Sequence, residues 1–376
     1  MITRQDIAWA GRLVVKVGSS SLSRDGHLDP AKLDALVDAL AAHINSGHEV
    51  VLVSSGAQAA GSLPLGLSAG PRNLTEAQAA ASVGQGLLIA HYTRAFIAHG
   101  LRVGQVLLTA EDVIRRSHYR NARRVLDGLL EAGIVPIINE NDAVATDEIR
   151  FGDNDRLAAL VSHIVRADAL ILLTDVDGLY TAPPGKPGSE RIRDVATFDE
   201  LEAVRVTGRG SKVGTGGMVT KVQAAAMASS SGIPALVTAA TELRAALAGE
   251  DTGTLFQVTG KRVSARRMWL GYAAKMRGRL TVDVGAAKAI TKGKKSLLPV
   301  GVVAVSGDFG VGEPVEIVDP QGVTVARGLS GFTSDELRKI VGLSEAEVAA
   351  KLGSERAVPA VHRDELVTQA RARRPE

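Results

Sequence analysis

Short hydrophobic runs recur through the first two thirds of the chain. Each gives way to a polar or glycine-rich loop and then to a stretch of helical periodicity. The first run, residues 13–17, reads as a strand buried on both faces. Asp29-Pro30 then reads as a helix N-cap followed by proline at the first helical position. Leu33, Leu36, Val37, Leu40 and Ile44 share one helical face, and Gly47 stops the helix. The alternation repeats, with strands predicted over 50–53, 103–108, 134–138, 169–173, 235–238 and 253–256. Helices are predicted over 76–98, 118–132, 156–165, 198–206 and 218–230. Strands alternating with helices predict an α/β fold, a mostly parallel central sheet covered by helices. Ligands of such sheets bind beyond the carboxyl ends of the strands.

The pattern changes near residue 260. Between residues 257 and 278 lie six Lys/Arg and no Asp/Glu. Beyond them come short strand-like runs at 300–305, 314–318 and 323–328, separated by Gly and Pro. The expected organisation is a domain over 1–260, a basic connector over 261–278, a small β-rich domain over 279–357 and a polar, arginine-rich tail over 358–376 that is expected to be disordered.

A length of 376 residues agrees with two domains. The absence of cysteine excludes disulfides, thiolate metal sites and cysteine nucleophiles. Aromatic residues make up 3% of the chain, too few for a surface that stacks many bases, and a net charge of +3 does not by itself imply a polyanion partner. The first ten residues lack a basic start followed by a long apolar run, and no apolar stretch reaches about 18 residues. A cytoplasmic protein without a membrane span is therefore expected.

Three elements suit an anion. Residues 13–17 end in Lys16 beside a Gly18/Ser loop, residues 50–53 end in Ser54-Ser55-Gly56, and Gly214-Thr215-Gly216-Gly217 runs directly into the predicted helix carrying Lys221. Small residues leave backbone N–H groups free to approach phosphate, a helix N-terminus favours negative charge, and each lysine adds a point charge. Acidic residues Asp142, Asp153, Asp155 and Asp175 follow other strands, where carboxylates beside a triphosphate suit Mg²⁺. Lysines, glycine loops and magnesium are what phosphoryl transfer needs. The chain has no GxxxxGK[ST], so it is not a P-loop enzyme, and the lack of GxGxxG weakens a dinucleotide reading. His362-Arg363-Asp364 lacks the rest of a protein-kinase catalytic loop, and the histidines show no metal-ligand spacing. Asp155 and Asp177 also suit a helix cap and a turn.

Taken together, Lys16-Val17-Gly18-Ser19, Ser54-Ser55-Gly56-Ala57, Ile138-Asn139-Glu140-Asn141-Asp142, Phe151-Gly152-Asp153-Asn154-Asp155, Thr174-Asp175-Val176-Asp177-Gly178-Leu179-Tyr180 and Gly214-Thr215-Gly216-Gly217-Met218 resemble the glutamate 5-kinases, which have the amino acid kinase fold. Residues from about 279 to 355 resemble the PUA domain that many bacterial members carry. The resemblance implies ATP-dependent phosphorylation of the γ-carboxylate of L-glutamate to L-glutamyl 5-phosphate, in proline biosynthesis. It implies that Lys16 and Lys221 stabilise the phosphoryl group in flight, that Asp155 holds the lysines, and that Asp153 is a magnesium partner. Ser55, Asp142 and Asn154 match the glutamate-binding positions, with Asn139 added. Lys16, Gly18, Thr174, Asp175, Thr215, Gly216, Gly217, Met218, Val219, Thr220 and Lys221 match the ATP-binding segments, and Arg150 stands where a lysine is common. Feedback inhibition by proline and homo-oligomer formation are also implied.

The chemistry is consistent with this. A carboxylate nucleophile with a pKa near about 4.3 is already ionised at neutral pH and needs no general base. The obstacle is repulsion between anions, which two lysines relieve. The alternatives are another kinase of this fold, acting on acetylglutamate or aspartate, and an RNA-binding PUA protein. Between Arg279 and Arg356 ten Lys/Arg face ten Asp/Glu, which ranks RNA as a minor or regulatory ligand.

Overall fold

The computed structural model describes residues 1–24, 26–67, 70–109, 112–113, 116–144, 154–182, 184–197, 217–260, 270, 276–293, 295–353 and 358–368. The chain divides into two compact units, Met1–Ala265 and Arg266–Glu376.

The first unit is built on an eight-stranded sheet. In chain order its strands are β1 (Arg12–Val17), β2 (Glu49–Ser54), β3 (Arg102–Leu108), β4 (Ile134–Glu140), β5 (Ala169–Thr174), β6 (Asp194–Val195), β7 (Ala235–Ala239) and β8 (Thr254–Phe256), in the spatial order β6-β8-β7-β5-β1-β2-β4-β3. From β7 across to β3 every neighbouring pair is parallel, and β8 runs antiparallel to β7. The unit's longer helices and the short helix after β2 are α1 (Pro30–Asn45), α2 (Ala57–Ser62), α3 (Leu74–Ile97), α4 (Arg116–Glu131), α5 (Asn154–Ile164) and α6 (Met218–Ser230). Asp29 caps α1 through a 3.0 Å bond from the Ala31 N–H, with Pro30 in the first turn. The predicted helix over 198–206 lies outside the described residues.

Alternation along β1 sorts its side chains. Leu13, Val15 and Val17 join one core with Leu33, Leu36 and Leu40 of α1 and Leu88, Tyr92 and Phe96 of α3. Val14 and Lys16 therefore face the other side of the sheet, where α5 packs against β1 and α6 packs on α5. Leu157, Ala158, Leu160 and Val161 of α5 and Ala224, Ala225 and Ala228 of α6 are fully buried.

Two glycines set the approach of α2 to α3. A Cβ on Gly61 would lie 1.9 Å from the Ala80 carbonyl oxygen, and one on Gly84 would lie 1.7 Å from that of Ala57. Only hydrogen fits at this crossing.

The second unit holds a five-stranded sheet: β9 (Gly278–Val282), β10 (Val302–Gly307), β11 (Pro314–Val318), β12 (Thr324–Ser330) and β13 (Val361–Thr368), ordered β10-β9-β11-β12-β13. Helices α7 (Val284–Thr291), α8 (Ser334–Ile340) and α9 (Glu345–Leu352) accompany it, each opened by a side-chain cap from Asp283, Thr333 or Ser344. The tail expected to be disordered from residue 358 instead contributes β13, which pairs antiparallel with β12. Its buried Val361 and Leu366 anchor it to the core, while the charged residues between them include exposed His362, Arg363 and Asp364 that mask the strand in the sequence. The small domain thus reaches beyond residue 357. Most of the basic connector lies outside the described residues.

Gly84→Ala is expected to lower the unfolding free energy by about 1–3 kcal/mol through overpacking. Gly86→Ala lies in the same helix, where an added Cβ would meet nothing within 4 Å. It is expected to raise the unfolding free energy by about 0.5–1 kcal/mol. Urea unfolding of the pair measures both, and equal effects would exclude close helix contact as the cause.

Candidate active site

Strand ends and helix starts meet at the carboxyl edge of the large sheet. Lys16 lies one residue before the end of β1, in register with Val53 of β2 and Leu172 of β5. Asp155 is the second residue of α5, and Lys221 is the fourth residue of α6, one turn in. The three side chains converge. Lys16 Nζ is 2.6 Å from Asp155 Oδ1, and Lys221 Nζ is 3.3 Å from Asp155 Oδ2. Asp155 is 0% exposed, with Lys16 and Lys221 at 4% and 6%. The Thr220 hydroxyl donates to Asp155 Oδ2 at 2.7 Å. Burial works to push the Asp155 carboxyl up, but the charges of Lys16 and Lys221 and the hydrogen bonds from Lys16 and Thr220 outweigh it and hold the group below the usual aspartate range. Two buried ammonium groups meet at the end of β1, where they offer N–H donors and positive charge to an anion.

A second, uncharged cluster lies alongside. Gly56, with φ +105°, turns the chain from β2 into α2, and the Ser55 N–H donates to the Val17 carbonyl at 3.0 Å. Asn154 Nδ2 lies 2.8 Å from both Ser55 Oγ and Asn139 Oδ1. Asn139 Nδ2 donates to Gln85 Oε1 of α3 at 2.9 Å. Behind this cluster the buried Tyr92 hydroxyl and Ser54 Oγ are 2.8 Å apart. Asp142 is half-buried, two residues past β4.

Thr174 ends β5 half-buried, and the exposed Asp175 carboxylate accepts bonds from Ser20 and Ser21 at 3.1 and 3.3 Å. Gly18 precedes the short helix Ser19–Leu22 that carries both serines. Gly217 caps α6, and Met218, Val219, Thr220 and Lys221 form its first turn, with Val219 exposed. Asp153, Thr215, Gly216 and Arg150 lie outside the described residues.

The structure thus joins Lys16, Asp155 and Lys221 in one ion cluster and Ser55, Asn139 and Asn154 in one amide cluster. Sequence reading misses Gln85, Tyr92 and the Ser20/Ser21 contacts to Asp175. Only the small residues Gly61 and Gly84 hint that α3 comes close to the site.

A family model described as the amino acid kinase family matches residues 11–239, and a PUA domain model matches residues 278–352. The chain is 55% identical over 366 residues to a protein named glutamate 5-kinase from Streptomyces coelicolor, covering 97% of this chain and 98% of that one. A protein of the same name from Thermobifida fusca is 52% identical over 368 residues, covering 97% and 95%. Among solved structures, a carbamate kinase from Giardia lamblia bound to AMP-PNP matches with a TM-score of 0.50 at 17% identity, covering 66% of this chain and 99% of that one. That likeness is one of fold.

Since the folded pKa of Asp155 lies below its unfolded value, its ionised form contributes stability that is fully present above about pH 4 and lost as pH falls through the lowered value. Asp155→Asn is expected to cost about 3 kcal/mol at neutral pH, by removing the charged carboxylate from between two buried ammonium groups, and to flatten the acid limb of the stability profile. Urea unfolding across that range tests this; an unchanged acid limb would show that the lysines do not stabilise the carboxylate.

Proposed function

The chain belongs to the amino acid kinase family, and from that premise we propose that it transfers the γ-phosphoryl group of ATP to the γ-carboxylate of L-glutamate, giving L-glutamyl 5-phosphate at the first step of proline biosynthesis. The observation that carries the reading is the pair of buried lysines clamped by Asp155 at the carboxyl edge of the sheet.

A γ-carboxylate oxygen of glutamate attacks the γ-phosphorus, the bond to the β,γ-bridging oxygen breaks, and ADP departs with that electron pair. No proton moves, in keeping with a site that offers lysines and amides rather than a base. Lys16 and Lys221 offset the repulsion between the two anions and the charge on the transferring group. Asp155 acts through them: it fixes both ammonium groups in place. Ser55, Asn154 and Asp142 are the proposed glutamate contacts, with Asn139 behind Asn154. Gly18, Thr174, Asp175 and the run from Thr215 to Lys221 are the proposed ATP segment.

Among the described residues no three His, Asp or Glu side chains converge as a metal cage. That donor set fits Mg²⁺ bound chiefly through nucleotide phosphates and water, with one or two carboxylates. Asp153 is the proposed carboxylate, and the ion would supply further charge neutralisation at the phosphates. Feedback inhibition by proline and homo-oligomer formation belong to the same proposal. The relatives favour glutamate over acetylglutamate or aspartate, and the even charge of residues 279–356 keeps RNA as a minor or regulatory ligand. Among the described residues no helix is long and apolar enough to cross a membrane.

Trapping of acyl phosphate by hydroxylamine, with ATP and Mg²⁺, is expected to give product with glutamate and little with aspartate or acetylglutamate. Lys16→Ala and Lys221→Ala are each expected to lower kcat by about 10²–10³-fold. Product from another acid in place of glutamate would overturn the substrate, and full activity of either variant would remove that lysine from the mechanism.

A further inference from the structure

The amide cluster has a fixed polarity. The Glu140 backbone N–H donates to Asn139 Oδ1 at 2.9 Å. A backbone N–H can only donate, so the Asn139 atom it meets is the oxygen, and the opposite atom, the NH₂, faces Gln85 Oε1. The Asn139 oxygen can only accept, so the Asn154 atom 2.8 Å from it is Nδ2. The Ser54 carbonyl, 3.4 Å from the same Nδ2, agrees. Asn154 Oδ1 is thereby turned the other way, where it is buried with no hydrogen-bond partner among the described residues. A buried oxygen without a donor is unusual, and an N–H group of a bound ligand would satisfy it.

We propose that Gln85 is a positioning residue that sets substrate specificity: through Asn139 it holds the Asn154 amide with its oxygen toward the ligand, so that the site demands a free ammonium group. This rests on the glutamate reading above. An α-ammonium offers three N–H donors and a charge-assisted bond. Glutarate offers the same two carboxylates and no donor. With the Asn154 amide rotated, its NH₂ would face the ligand and the preference for an amine would be lost. Gln85 supplies the acceptor for Asn139 Nδ2, and Asn139 is 2% exposed and out of reach of bulk water as a substitute. The close crossing of α2 and α3 at Gly84 fixes the turn that carries Gln85.

Gln85→Met keeps side-chain length but removes the strong acceptor, and Gln85→Glu restores one. Steady-state kinetics by hydroxamate trapping, with glutamate and glutarate as acceptors, test the proposal. Gln85→Met is expected to raise KM for glutamate about tenfold, the loss of roughly one hydrogen bond, with kcat and KM for ATP within about twofold. The kcat/KM ratio of glutamate to glutarate should fall about tenfold and return in Gln85→Glu. Equal losses on both acids, an unchanged glutamate KM, or no rescue by Gln85→Glu would each overturn the role of Gln85. Absence of product from glutamate with the unaltered protein would instead overturn the functional reading, and this proposal with it. Thermal melts of both variants separate misfolding from altered recognition; if Gln85→Met unfolds, Gln85→Glu decides alone, since a folded Gln85→Glu with lost preference overturns the proposal and one with retained preference supports it.

Discussion

A carboxylate shut away from water sits between two ammonium groups at the end of β1, and much of the first unit's arrangement depends on it. Taken alone, such a carboxylate would be expensive to bury, by several kcal/mol after relaxation. The native state is tolerable only if Lys16 from β1 and Lys221 from α6 arrive together, with the Thr220 hydroxyl taking a further lone pair. Three segments far apart in sequence must therefore meet in one register. Two ammonium groups are thereby held in place in low-dielectric surroundings, their ordering cost met during folding. In the proposed reaction that is the condition under which fixed charges stabilise a transition state more than water does.

The path of the chain explains why the triad forms there. From β1 the chain moves outward to β2, on to the edge strand β3, and back one place to β4. It returns through α5, across the face of β1, to β5 on the opposite side. The N-terminus of α5 thus lies at the carboxyl end of β1, at the point where the sheet order reverses. Side-chain alternation decides the rest. With Val15 and Val17 committed to the α1/α3 core, Lys16 has to face α5. A one-residue slip of β1 would bury the lysine among leucines, so the same pattern that sets the register also aims the charge.

Legibility in the sequence follows local physics. Both faces of the sheet are covered, so its strands read as unbroken apolar runs, and the caps of α1 and α6 are chemical signals in the residues themselves. The lysines and aspartates stand out because they interrupt small-residue loops at strand ends. Gln85 does not stand out. A glutamine on a helix is ordinary by composition, and only the crossing of α2 and α3 at Gly61 and Gly84 places it against Asn139. The family resemblance adds Asn139 to the glutamate-binding positions, and the structure shows its side chain bonded to Gln85, Asn154 and the Glu140 N–H. Strand β13 is hidden for a different reason. As an edge strand it carries charge between Val361 and Leu366, and charge on an edge reads as a tail.

The two clusters divide the chemistry along a line that charge alone would not draw. In the proposed reaction the lysines stand where phosphate oxygens pass, since full charges offset the repulsion between nucleotide and carboxylate. The neighbouring cluster is built from neutral amides and a serine. A zwitterionic amino acid presents both signs within a few atoms, so a further lysine there would attract its carboxylates and repel its ammonium group. An amide has an acceptor end and a donor end, and which end faces the ligand is decided by what the protein does with the other. Here Asn139 is held from both ends, its oxygen by a backbone N–H in β4 and its NH₂ by Gln85 of α3. In the proposed site, recognition of the amino group is relayed from Gln85 through Asn139 to Asn154, in addition to the Asp142 contact.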